Sequence, residues 1–268
     1  MPYLTTNIPG TRHQVTETEK VTHILIIAGQ SNAVGYTQLD NEIPAELQEQ
    51  STVKIFNGWS GESGEWEAYS WANRNTCWPN YAGGDPQWGW SAEAKAGQLL
   101  TAYYNDDVYI IKNAYGGENI TAWDKDTPGY LWTQLEDFWT RSIGLLPDQP
   151  YIIDGILWMQ GESDATEGID ALYEARLRTL IANIRILVDD TAVPFIIANL
   201  HADLDRENYP AIRTAYENIA ADTDQVYIIY PKDEGATMWS IHYTASGLVT
   251  MGQAWYNFML NNNLLNRS

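Results

Sequence analysis

Six short, mostly apolar runs recur along this chain, at 22–28, 53–56, 108–111, 152–158, 194–198 and 226–229. Each has the length of a buried strand and is too short for a helix of its own. Most are separated by stretches with helical signals. Residues 91–100 open on Ser91, 131–144 close before Pro147, and 168–187 carry Leu172, Leu177, Leu180, Ile181 and Ile184 as one apolar stripe; 209–220 and 244–259 follow. Strand and helix in alternation imply right-handed crossovers and a mostly parallel sheet covered on both faces. The expected class is α/β.

At 268 residues the chain is near the upper range for one hydrophobic core, and its 44% hydrophobic residues supply one. We expect one domain over 22–262, preceded by a polar arm over 1–21 and carrying an insertion over 57–90. The insertion holds Trp59, Trp66, Trp71, Trp78, Trp88 and Trp90 among Gly, Ser, Asn and Pro, and neither the strand nor the helix period persists in it. Long irregular loops in compact domains are usually functional. A formal net charge of −20 repels nucleic acid and anionic membranes. No run approaches the length of a transmembrane helix, and the single Cys77 rules out an intrachain disulfide framework. The first residues show neither a basic start nor an apolar signal segment; an extracellular or particle-associated setting is the expectation, and the oligomeric state is unread.

Three polar clusters follow three of the runs: Gly29-Gln30-Ser31-Asn32, Asn113-Ala114-Tyr115-Gly116-Gly117 and Gln160-Gly161-Glu162-Ser163-Asp164. Strands of a parallel sheet end on a common edge, where such sheets bind ligands. His242, in a loop before the last helix, reaches that edge too. By itself Ser31 reads equally well as a helix cap. In this company it is a candidate nucleophile, with His242 as general base. The N–H of Ser31, the N–H of Gly117 (or Gly116) and the side-chain amide of Gln160 are candidate oxyanion donors. His13, His23 and His201 show no metal-ligand spacing, and neither a metal nor another cofactor is expected.

The Gly-Gln-Ser-Asn block after a buried run, Gly116-Gly117 followed by Trp123, and Trp158-Met159-Gln160-Gly161-Glu162-Ser163-Asp164-Ala165 resemble the SGNH hydrolase superfamily. Within it they are most similar to sialate O-acetylesterases and carbohydrate esterase family 6 acetylxylan esterases. The resemblance covers about residues 22–260. It implies a flavodoxin-like three-layer α/β/α sandwich, no metal, and removal of acetyl groups from sugars, so an acetylated carbohydrate is the expected partner. Carried over, Ser31 matches the nucleophile, Gly117 and Gln160 the oxyanion donors, and His242 the base.

One position departs from the superfamily pattern. An Asp normally stands three residues before the catalytic His, and here that residue is Trp239. Loss of the group that fixes the imidazole tautomer can lower the rate of a serine triad by about 10⁴. Glu162, in the strongest block, is the first candidate to take over; Asp164, Asp233, Glu234 or a backbone carbonyl are the others. Expected substrate contacts are Asn32, Trp59, Trp78 and Trp88, with Arg74 as a reader of a substrate carboxylate. Two other readings stand beside the esterase: an inactive glycan-binding member of the fold, and a structural or adhesive part of a larger particle.

Overall fold

The computed structural model describes residues 20–36, 43–58, 64–71, 89–127, 129–168, 170–204 and 208–267. All but the last two residues of the expected arm 1–21 lie outside them. In chain order, β1 (Thr22–Gly29) leads into the one-turn helix α1 (Ser31–Val34), and α2 (Ala45–Gln48), β2 (Glu49–Asn57) and β3 (Glu65–Ser70) follow. Next come α3 (Ala92–Tyr104), β4 (Val108–Ala114), α4 (Tyr130–Ile143), β5 (Tyr151–Met159), α5 (Glu162–Glu167) and α6 (Asp170–Leu187). The last third holds β6 (Phe195–Ala198), α7 (Tyr209–Asp222), β7 (Val226–Ile229), the paired strands β8 (Met238–Trp239) and β9 (His242–Tyr243), and α8 (Ala245–Asn261).

The central sheet runs in the order β3-β2-β4-β1-β5-β6-β7. Every pairing in it is parallel except that of β3 with β2. The inner five, β4-β1-β5-β6-β7, have the flavodoxin-like order, and β2 and β3 extend the sheet beyond β4. The chain leaves β1 toward one side and later returns to its other side, which opens a crevice at the C-terminal end of β1. Ser31 is the second residue past that end.

Strand β1 is buried on both faces, as a central parallel strand must be. Ile24, Ile26 and Ala28 enter one core with Trp132, Leu135 and Phe138 of α4, Leu177, Leu180, Ile181 and Ile184 of α6, and Ile212 and Tyr216 of α7. Leu25 and Ile27 enter the other with Ala96 and Leu100 of α3 and Leu248, Met251, Trp255 and Met259 of α8. These are the three expected layers. Leu172, expected in the α6 stripe, is instead 56% exposed. Tyr173, one residue on, is fully buried in its place.

The insertion is less irregular than its sequence suggests, because β3 lies within it. Glu65 and Glu67 break the apolar alternation there, as charges on edge strands commonly do. Helix α5 and the β8–β9 pair are too short to produce a period, so neither is foreseen. At the far end of β1 the pairing with β5 steps from Ile24↔Ile153 to Leu25↔Gly155. The bulged-out Asp154 meets His23 Nδ1 at 3.1 Å, remote from Ser31. Among the described residues, no helix is long and apolar enough to cross a membrane.

Candidate active site

The turn that carries Ser31 depends on a glycine. Gly29 has φ +141°, and a Cβ there would lie 2.1 Å from the carbonyl oxygen of Met159. The β1 and β5 backbones can therefore approach, and the Gln30 N–H donates to Met159 O at 2.9 Å. Gln30 also accepts through Oε1 from the N–H groups of Gly161 (3.2 Å) and Ser163 (3.3 Å), joining the first and third clusters. Ser31 is the first residue of α1, and no side chain caps that helix. Its N–H therefore has no acceptor within the helix.

His242 is presented by the β8–β9 pair, in which Trp239 stands opposite His242 and Tyr243 opposite Met238. The two-residue turn between them holds Ser240 at φ +54°. Across 211 positions of sequence, His242 Nε2 lies 3.0 Å from Ser31 Oγ. Burial pushes the imidazole down to about 4, so it is neutral near pH 7. With its proton on Nδ1, Nε2 accepts the serine hydroxyl.

What holds this hairpin over α1 is Asn32. Its Nδ2 donates to the carbonyl of Ile241 (3.1 Å) and its Oδ1 accepts from the N–H of Tyr243 (3.1 Å), the peptide groups on either side of His242. The same Nδ2 donates to Glu162 Oε1 at 2.7 Å. The amide of Asn32, expected at the substrate, is thus engaged within the protein, and its side chain is buried. Glu162, the first candidate for orienting His242, aims its carboxylate at Asn32 and reaches the imidazole only through Asn32 and the backbone. Its Oε2 is buried without a hydrogen-bond partner. Burial first, with repulsion from Asp164 adding to it, raises Glu162 to about 6.

Gly117 lies in the turn after β4, the strand paired with β1. It has φ +79°, and a Cβ there would meet nothing within 4 Å. Its N–H has no acceptor among the described residues. Gln160 differs. Its Nε2 donates to Glu118 O at 3.2 Å and to Asp164 Oδ2, and its Oε1 accepts from Tyr173 OH at 2.8 Å. Both amide protons are taken, so Gln160 faces an oxyanion only by releasing the longer bond to Glu118. Asp164 also accepts from Ile120 N–H (3.1 Å), and burial raises it to about 6.

Trp59, Arg74, Trp78 and Trp88 lie outside the described residues. Three other tryptophans of the insertion pack against the domain. Trp66 donates from Nε1 to Ser142 O (3.0 Å) and meets Phe56 and Tyr109 edge to face, Trp90 is buried, and Trp71 lies half-buried on the second core. Sequence reasoning missed the support beneath α1. Lys112, in β4, is buried and donates to Val34 O (2.8 Å), Gly89 O (3.0 Å) and Glu93 Oε1 (2.8 Å). Ser91 Oγ, beside it, donates to Asn32 O at 2.6 Å. A lysine directly after an apolar run, ahead of the Asn113–Gly117 cluster, was the signal in the sequence. Among the described residues, no group of three or more His, Cys, Asp or Glu is placed to hold a metal.

A family model described as carbohydrate esterase, sialic acid-specific acetylesterase, matches residues 21–261. Among solved structures, the chain is similar to a protein of Arabidopsis thaliana at 18% identity and TM-score 0.70, covering 91% of this chain and 99% of that one. It is similar to NanS at 14% identity and TM-score 0.67, covering 92% and 99%. A carbohydrate acetylesterase from Xanthomonas citri aligns at 17% identity and TM-score 0.61, covering 89% of this chain and 57% of that one. At these identities the structural likeness shows the fold. No curated protein matches the sequence.

Proposed function

We propose that this chain, which belongs to the sialic acid-specific acetylesterase family of carbohydrate esterases and is a carbohydrate acetylesterase, works through an acyl-enzyme on Ser31. The observation that carries the mechanism is the 3.0 Å approach of His242 Nε2 to Ser31 Oγ. Ser31 Oγ attacks the acetyl carbonyl carbon while its proton passes to Nε2. The tetrahedral oxyanion is met by the N–H groups of Ser31 and Gly117. A third donor, Gln160 Nε2, joins if it releases Glu118. Losing one such donor typically removes about 3–4 kcal/mol of transition-state stabilisation. The imidazolium returns the proton to the departing sugar hydroxyl, and the glycan leaves. Water, deprotonated by the same imidazole, then attacks acetyl-Ser31; the C–Oγ bond breaks, the imidazolium returns the proton to Ser31 Oγ, and acetate is released.

In this reading Asn32 and Glu162 are positioning residues. No carboxylate bonds the His242 ring among the described residues, so the base is oriented through its own peptide groups. Ser31→Ala and His242→Ala are each expected to lower acetate release from p-nitrophenyl acetate and acetylated sugars by about 10⁴-fold or more. Unchanged turnover by Ser31→Ala would refute the nucleophile. Sugar binding by the wild-type protein without Ser31-dependent release would point to a binding module.

A further inference from the structure

Nine of the twelve tryptophans are among the described residues, and of these Trp239 alone is exposed, at 44%. The others are buried or half-buried in packing. An indole left in water is notable only for where it stands. Trp239 is the cross-strand partner of His242. Directly opposed residues of an antiparallel pair project from one face, with Cβ atoms about 4.5–5.5 Å apart. Trp239 therefore rises beside the imidazole that contacts Ser31.

The mount beneath it is firm. Asn32 holds the peptide groups around His242, Thr244 N–H donates to Thr237 O at 3.0 Å, and Tyr243 is buried beneath the hairpin. Tyr36 supplies a second aromatic surface. Its ring lies against the His242 ring, with centroids 4.2 Å apart, and its N–H donates to Ser31 O at 2.9 Å. The base is thus flanked by two aromatic side chains tied to the elements that carry the reacting pair.

We propose that Trp239, with Tyr36 against the His242 ring, holds the pyranose ring of the acetylated substrate and presents its ester to Ser31. The inference rests on the reading of Ser31 and His242 as the reacting pair. A pyranose has an apolar C–H face that stacks on an indole, while its hydroxyls stay in water at the rim. Here the residue facing the base reads the sugar, and the base is positioned by Asn32. A simple alkyl acetate has no ring to stack on the indole, so discrimination between glycan and simple esters is seated in this hairpin.

The test compares wild type, Trp239→Phe and Trp239→Ala on ethyl acetate and on an acetylated sugar, with acetate release as the readout. That sugar is the best-turned-over member of a panel of acetylated xylobiose and O-acetylated sialic acids. Trp239→Ala is expected to lower the ratio of kcat/KM on the sugar to that on ethyl acetate by about tenfold, mainly through KM, with Trp239→Phe in between. In a Ser31→Ala background, the acetylated sugar is expected to shift tryptophan emission, and Trp239→Phe to reduce that shift. Equal losses on both esters, or no loss on either, would overturn the proposal. Full activity of Ser31→Ala would instead remove the reading beneath it, so the two failures are separable.

Discussion

At Asn32 one primary amide makes three hydrogen bonds, to Glu162 Oε1, Ile241 O and Tyr243 N–H, and so ties α1, α5 and the hairpin together. Asn32→Ala would leave the Glu162 carboxylate buried without its donor, a loss of about 1–3 kcal/mol in chemical denaturation. It would also free the peptide groups around His242, and a displacement of about 1 Å at a reacting group is enough for a 10²-fold fall in kcat. Glu162→Gln keeps an acceptor for Asn32 and is expected to lose much less than Asn32→Ala on both measures. The pH profile separates the groups further. Burial lowers His242 to about 4 and raises Glu162 to about 6. The base therefore stays neutral well below pH 6, while Glu162 gains its proton near 6. Protonated Glu162, like Gln, still offers a carbonyl oxygen to Asn32, so the acid limb of kcat/KM is set by His242 and is expected near 4 in both the wild type and Glu162→Gln. A limb near 6 would instead assign it to a buried acid, Glu162 if Glu162→Gln removes it and Asp164 if it stays.

Between elements, the support under α1 is a buried ion pair. Lys112 of β4 and Glu93 of α3 are both inaccessible to solvent, and Lys112 also takes the carbonyl of Val34 at the end of α1. Removing one member of such a pair strands the other charge. Lys112→Met is expected to destabilise the fold by about 3–5 kcal/mol, read from urea unfolding. Lys112→Met combined with Glu93→Leu is expected to recover most of that loss, because no charge is then left buried; a double variant no better than the single would show that the carbonyl contacts dominate. This pair also explains a boundary missed in the sequence. The apolar run ends at Ile111, but β4 continues through Lys112 and Asn113 because the Lys112 ammonium and the Asn113 amide nitrogen find acceptors inside: Asn113 Nδ2 donates to Leu131 O at 2.9 Å. Composition marks a strand end where polarity begins, and a satisfied buried polar group removes that mark.

For the whole molecule, charge sets the response to pH and salt. Glu162, Asp164 and Asp154 are all raised, chiefly by burial, so the folded chain binds protons more tightly than the unfolded one as pH falls from about 6 toward the ordinary carboxyl range. Stability from these groups rises as pH falls through that window. His242, lowered to about 4, acts in the opposite sense between its ordinary value of 6.5 and 4. Three carboxyls against one imidazole, with relief of a net charge of −20, favour the acid side. Tm at low salt is expected to be higher at pH 5.5 than at pH 7.5, and 0.5 M NaCl to raise it at pH 7.5 by screening self-repulsion. A steady fall in Tm from pH 7.5 to 5.5 would show that His242 outweighs the acids. Much of this architecture was legible in the chain itself. The alternation of runs gave the layered α/β class, because periodicity reports which faces are buried, and the three strand-end blocks marked loops that a parallel sheet brings to one edge. What no local pattern encodes is which buried polar group answers which, since those choices are made by approach in space, across 130 positions for Asn32 and Glu162 and 78 for Lys112 and Val34. Only the tertiary structure turned Glu162 toward Asn32, occupied both amide protons of Gln160, set Lys112 beneath α1, and left Trp239 in water beside His242.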